Sequence, residues 1–451
     1  MTSSIEKIMK RLLPSPFAIA ILLTLTIVII SLLFTENKIG EIVSFWENGL
    51  WHPPLMNFAM QMMLMLVLGY VIALSKISKL LIHKITFFCN NTYNAAFLVS
   101  ISTIIMSLLN WGLGLVFGAI LARKVGEHAL DNNINLNYPL IGAAGYSGLM
   151  VWHGGLSGSI PLKVAESNHF SEIIQNKNLL AQLPENGINF YQTILSNMNL
   201  IVTLLLIMII PVSLFYLGKK YPTGGVLKFE KTNNIIKERK KDSIGAEKID
   251  YSNWFSKLIG LAILIIAVRK GFTATSISFI NPNFVNLTLF GLAIFLHRNF
   301  YEFLSAVNKS IVSASGILIQ FPLYFGIMGI MNSSGLVDVF ANFFIAISDQ
   351  TTYPIFTMLS GGLVNIFVPS GGGQWAVQGP IILQSALELG VPIQKSVMAL
   401  AYGDQLTNML QPFWALPLLG ITQLKAKEIL PYTIVIMIIG LTIFSGCLLV
   451  F

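Results

Sequence analysis

Two uncharged stretches of this 451-residue chain carry residue types that could hold a small polar ligand. The first is Asn110-Trp111-Gly112-Leu113-Gly114, and the second runs from Asn365 to Trp375 and includes Pro369-Ser370-Gly371-Gly372-Gly373-Gln374. Glycine costs a helix about 1 kcal/mol and proline about 3 relative to alanine, so neither stretch continues a helix cheaply. Both lie in apolar surroundings, where freed backbone groups cost several kcal/mol unless they face protein or a wet cavity. The breaks therefore predict buried helix N-termini whose N–H groups can seat a carboxylate. Each break is followed by a second interrupted apolar segment. One is Trp152–Pro161, with His153, Ser157 and Ser159; the other is Gly403–Pro412, with Asp404, Thr407 and Asn408. Asp404 stands in mid-span, where an acid costs at least about 2.5–3.5 kcal/mol and is by default a proton or cation site, or the partner of one. His153 is the second candidate, because imidazole titrates near neutral pH. Candidate ligand contacts are Asn110, Gly112, Ser157, Ser159, Asn365, Ser370, Gly371, Gly372, Gln374, Thr407 and Asn408. Ser157 and Ser159 could equally serve close helix packing. No Lys or Arg interrupts these segments up to Ala122 in the first half, nor between Ser310 and Gln394 in the second. That suits a singly charged anion held by N–H dipoles, amides and hydroxyls, with a Na⁺ or H⁺ at Asp404 and no other cofactor or metal.

The elements that must position these residues follow from composition. The chain is 54% hydrophobic and 11% charged, against roughly 25% charged in soluble domains, and its mean hydropathy is +0.72. An all-α, polytopic membrane protein is expected, with about nine to eleven transmembrane helices. The net charge of +8 does not signal nucleic acid, since ten of the 28 Lys and Arg lie between Lys219 and Lys257, in one polar stretch. Such a stretch is a cytoplasmic loop under the positive-inside rule. Lys7, Lys10 and Arg11 precede an apolar run from Phe17 to Phe34, read as a retained first span with a cytoplasmic N-terminus. Further spans are expected near 54–75, 138–162, 193–217, 254–270, 284–298, 309–331, 395–421 and 429–451.

The stretches 93–122 and 352–390 are too long for single spans. Residues 85–122 hold no charge and end at Arg123 and Lys124. A re-entrant hairpin at 93–122 leaves both those cations and the 219–257 loop cytoplasmic, as the rule asks. A second hairpin at 352–390, entered from the other side, brings 395–421 back to Lys425 and Lys427. The chain thus reads as an N-terminal helix and loop (1–52), a first inverted repeat (53–217), a basic linker (218–253), connecting helices (254–308) and a second inverted repeat (309–451). Inverted repeats with broken helices are an architecture of secondary transporters, with cargo at the repeat interface. Cys89 and Cys447 make neither a disulfide framework nor a metal site. The zincin and phosphate-loop patterns are absent, so no enzyme is expected.

With these residues in hand, the chain resembles the bacterial short-chain fatty acid transporter family, the acetoacetate/butyrate uptake type, within the larger ion-transporter superfamily. The resemblance runs from Leu13-Pro14-Ser15-Pro16-Phe17 to the C-terminus. It is carried by Asn110–Val116, Gly155–Pro161, Gln320-Phe321-Pro322, Val368–Trp375 with Gln378-Gly379-Pro380, Ala401–Gln405 and Gln411–Pro417. It implies uptake of short-chain monocarboxylates across a bacterial inner membrane, an elevator-like scaffold with both hairpins in the moving part, and a homodimer. His153 departs from the pattern, standing where relatives can carry Gly. Rival readings are a C4-dicarboxylate carrier, which would want a cationic side chain, and a cation/proton antiporter, which would want a second core acid beside Asp404.

Overall fold

The computed structural model describes residues 14–76, 85–166, 169–174, 177–224, 245–273, 279 and 282–451. Lys7, Lys10 and Arg11, residues 77–84 and most of the basic 218–253 linker lie outside the described residues. Secondary structure among the described residues is helical throughout, without strands. The first half runs α1 (Pro16–Phe34), α2 (Ile39–Leu50), α3 (Pro53–Leu74), α4 (Thr92–Leu109), α5 (Trp111–Asp131) and α6 (Tyr138–Tyr146). Two 3₁₀ turns follow, Ser147–Met150 and Trp152–Gly154, then α7 (Ser159–Val164), two short helical turns and α8 (Asn197–Lys220). Connecting helices are α9 (Asn253–Phe272), α10 (Pro282–Leu296) and α11 (Phe300–Ser310). The second half runs α12 (Ser315–Ser333), α13 (Leu336–Ala346), α14 (Tyr353–Phe367), α15 (Gly371–Glu388), α16 (Ile393–Thr407), a 3₁₀ turn Asn408–Leu410, α17 (Pro412–Thr422) and α18 (Ala426–Val450).

Both expected hairpins are present. α4 and α5 meet at Asn110, and α14 and α15 meet at residues 368–370. Among the described residues, six helical segments are long and apolar enough to cross a membrane, among them α11 joined to α12; α10, α14 and α17 are apolar but shorter. Their outer faces are apolar too: Leu22, Leu25 and Ile29 of α1 are more than half exposed. Water does not accept such a surface in quantity, whereas lipid does.

The boundaries follow local chemistry. Ser15, Asn91, Asn110, Asn137, Ser196 and Ser370 each accept a backbone N–H from the first turn of the helix that they start. Each such cap is worth about 1 kcal/mol. Two details differ from the sequence reading. Helix α5 continues nine residues past Ala122 to Asp131, because Arg123 and Lys124 are paired with Glu127 at 2.8 and 2.7 Å. Arg123 is buried inside the helix; it does not mark the hairpin's end. Also, Pro161 and Pro412 open helices after the breaks, in the first turn where no N–H is needed.

Glycine permits close crossings in each half. A Cβ on Gly118 would lie 2.1 Å from the Gly145 carbonyl oxygen, and one on Gly403 would lie 2.1 Å from that of Met358. These contacts press α5 onto α6 and α14 onto α16, and so fix the hairpins against the broken spans. A separate apolar core joins the 160–188 segment to α15 and α16 through Ile160, Phe170, Leu183, Trp375 and Leu400. Trp375 Nε1 donates to His169 Nε2 at 2.8 Å within it.

Candidate functional site

The two hairpin tips and the two broken spans converge. Trp111 opens α5, Pro369–Gly372 form the second tip, Trp152 and Ser159 flank the first break, and Phe413 and Trp414 follow the second. Together with Leu55, Phe58, Phe325 and Met328 they line a cleft of about 180 Å³. Its wall is largely aromatic: Trp111 and Trp414 lie 5.1 Å apart edge to face, and Phe58 lies 6.1–6.3 Å from Trp111, Phe321 and Trp414. No charged residue lines it. Such a wall favours an apolar body, and any polar end must find N–H or hydroxyl partners.

The two tips differ in what they leave open. At the first, Asn110 Oδ1 accepts the Leu113 N–H at 3.0 Å and Ser157 Oγ accepts the Trp111 N–H at 2.9 Å. That tip is largely satisfied by protein. Gly112 packs against Met65, whose sulfur would be 2.6 Å from an added Cβ. At the second tip, Ser370 Oγ accepts the Gly373 N–H at 3.2 Å, and the first-turn N–H groups of Gly371 and Gly372 have no intrahelical acceptor. A Cβ added to Gly372 would meet nothing within 4 Å, so this residue faces open space in the cleft.

Beneath the tips lies a polar network. Asn365 Nδ2 donates to the Asp404 carbonyl at 2.8 Å, Thr407 Oγ1 at 2.9 Å and Asn408 Oδ1 at 3.0 Å. Thr407 Oγ1 donates to the Gly362 carbonyl, and Gln411 donates to the Asn365 and Ile366 carbonyls. Of these acceptors, the Asp404 carbonyl precedes the break at 408–411, and the Gly362, Asn365 and Ile366 carbonyls lie towards the end of α14, before the second tip. Gln374 Nε2 donates to the Gly361 carbonyl and to Gln378, closing the second hairpin on itself. The Asp404 carboxylate points the other way. Its Oδ1 lies 3.0 Å from His153 Nε2, with both side chains at most 1% exposed.

Of the sequence candidates, Ser159, Ser370, Gly371 and Gly372 line the cleft. Asn110, Ser157, Asn365, Gln374, Thr407 and Asn408 form the hydrogen-bonded frame behind it, and His153 with Asp404 forms a buried pair. The sequence reading did not single out Trp152, Trp414, Phe413, Phe58, Phe325 or Met328 as wall residues. The first three stood inside quoted motifs; the others are ordinary apolar positions on α3 and α12 and gave no signal.

The sequence model of the short chain fatty acid transporter family matches residues 1–451, the whole chain. The chain belongs to the short-chain fatty acid transporter family. A member from Escherichia coli (strain K12), named for short-chain fatty acid transport, is 35% identical over 97% of this chain and 98% of its own. Another from Haemophilus influenzae, named likewise, is 33% identical over 96% of this chain and 95% of its own. Among solved structures, the Alcanivorax borkumensis YdaH transporter covers 97% of this chain and 98% of its own, at 15% identity and a TM-score of 0.46. For this family member a multi-pass membrane location and a small organic cargo follow, and the protein is a transporter, not an enzyme.

Proposed function

We propose that the cleft binds a short-chain monocarboxylate of the butyrate or acetoacetate kind, and that the protein carries it inward by alternating access, driven by a cation or proton held at Asp404 and His153. The observation that supports this is the cleft itself: an aromatic, uncharged chamber at the junction of both hairpin tips and both broken spans. A carboxylate fits against the open first turn of α15, at Gly371 and Gly372, with Ser159 and Ser370 nearby. Its alkyl chain fits against the wall formed by Trp111, Trp414 and Phe58. A dianion would leave its second charge among aromatic rings without a cation, at a cost of several kcal/mol.

In this reading, 53–217 and 309–451 are inverted repeats whose hairpins move together against α2, α3 and α12. The assembly is a homodimer in the inner membrane with the N-terminus and the 218–253 linker in the cytoplasm. Counterflow of radiolabelled butyrate into proteoliposomes preloaded with unlabelled butyrate tests it, with protein-free liposomes subtracting diffusion of the neutral acid. Protein-dependent counterflow, inhibited by acetoacetate and not by succinate, is the expected outcome. Inhibition by succinate at equal concentration would replace the cargo with a dicarboxylate.

A further inference from the structure

We infer that the coupling ion is a proton, and that His153 and Asp404 hold it jointly as one site divided between the two halves of the chain. The inference rests on the transport reading above. His153 is carried by the 3₁₀ turn Trp152–Gly154 and Asp404 by α16, 251 residues apart. The first break turns the imidazole inward; its backbone N–H is fixed by Gln405 Oε1 at 3.0 Å, and Trp152 lies on its ring at 3.6 Å between centroids. Across the pair, His153 Nδ1 and Asp404 Oδ2 are buried with no hydrogen-bond partner. A pair that is buried and left with one free site on each member has the chemistry to take up and release a proton.

At the Asp404 Oδ1 atom and the Asp404 carbonyl, the neighbours are not those that a metal cation gathers. A hard cation gathers a shell of oxygens. One carboxylate oxygen of Asp404 instead faces an imidazole nitrogen, and its backbone carbonyl is taken by Asn365. No group of three or more His, Cys, Asp or Glu that could hold a metal occurs among the described residues.

The coupling to cargo follows from position. A Cβ on Gly371 would lie 2.6 Å from His153 Cε1 and 2.7 Å from Nε2, so the tip backbone rests on the imidazole. The next residue, Gly372, opens on the cleft. A carboxylate seated there is a near neighbour of the Asp404 carboxylate in a low-dielectric interior, where two uncompensated anions repel strongly. One proton on the pair makes it neutral. Bound cargo therefore raises the affinity for the proton and the proton raises the affinity for cargo, by the same factor. Other ionisable groups on the packed elements do not intervene. Lys163 on α7 pairs with Glu166; Glu388 of α15 accepts from Gln384; Tyr402 donates to Asn199 and Tyr353 to the Ile382 carbonyl. Lys395 opens α16, Lys427 and Glu428 open α18, and Tyr93 opens α4. Cys447 is buried near the other end of α18. Among the described residues, none of these bonds to His153 or Asp404.

Butyrate titrated calorimetrically into the purified full-length protein, in buffers of different ionisation enthalpy, reads the proton count directly. Passive diffusion of the neutral acid does not enter. Wild type is expected to take up about one proton per butyrate, equally in sodium and in choline salts. Asp404→Asn and His153→Gln are each expected to bring that count towards zero. Butyrate binding with no proton uptake, binding that requires sodium, or a full proton count in both variants would overturn the inference while leaving the carrier standing. If neither variant folds, the wild-type buffer series decides alone. Absence of any butyrate binding to wild type, checked with radiolabel, would remove the carrier reading and this inference with it.

Discussion

With the carboxylate seated at Gly372, a side chain there pushes the acid along the cleft and shortens the room left for its alkyl chain. An added Cβ at Gly372 meets nothing within 4 Å and enters a chamber of about 180 Å³. Gly372→Ala therefore fills space that cargo would occupy, without disturbing protein. The residue lies in the first turn of α15, where alanine is at least as good a helix former as glycine, so folding is not compromised. Burying one methylene is worth about 0.8 kcal/mol, roughly fourfold in affinity at 1.4 kcal/mol per tenfold. Wild type should thus favour butyrate over propionate by about fourfold, and Gly372→Ala should erase most of that preference. Gly372→Val should carry the trend to acetate. The assay is the ratio of dissociation constants for the three acids, which cancels losses of active protein. Gly371→Ala is the contrasting variant: its Cβ strikes the His153 ring at 2.6–2.7 Å. It should weaken all three acids together, through a strain of about 1–3 kcal/mol. Chain-length ratios that stay at their wild-type values in both Gly372 variants would refute the placement of the alkyl chain in this cleft.

Three further expectations concern the frame. Asn365→Leu removes the donor shared by the Asp404 carbonyl, Thr407 and Asn408. Each acceptor left bare costs about 1–3 kcal/mol, so a marked fall in the detergent unfolding midpoint, read by tryptophan fluorescence, is expected. Gly403→Ala drives a Cβ to 2.1 Å from the Met358 carbonyl oxygen and should abolish a monodisperse elution profile, whereas Gly446→Ala, with nothing within 4 Å, should leave it intact. Trp375→Phe deletes the bond to His169 Nε2 and should raise limited-proteolysis cutting between residues 165 and 188. Equal resistance to cutting in wild type and variant would show that the bond does not hold that segment.

What was legible in the sequence was the punctuation. An uncharged stretch of membrane length broken by Asn110, or by Pro369 and three glycines, admits few physical outcomes, and both hairpins appear where that argument puts them. The caps were also local: Asn110 and Ser370 each start the helix after their break. Local chemistry does not reveal which breaks are already satisfied. Ser157 reads as a hydroxyl for ligand or for helix packing, and only the fold shows that its oxygen accepts the Trp111 N–H, 46 residues away. Arg123 reads as a hairpin boundary until Glu127 is seen to carry the helix past it. The His153–Asp404 contact spans 251 residues and has no periodicity that could announce it. Each member alone is an oddity in an apolar span. Together they form a neutralisable unit, and this changes the significance of His153. A lone histidine in an apolar segment is easily set aside as incidental, yet here it supplies the polar neighbour that makes a mid-span carboxylate tolerable. A variant with glycine at this position would have to meet the same desolvation cost by other means, such as water or a bound cation. The identity of residue 153 would then select how the carrier is coupled, on a scaffold whose hairpins, caps and glycine crossings remain the same.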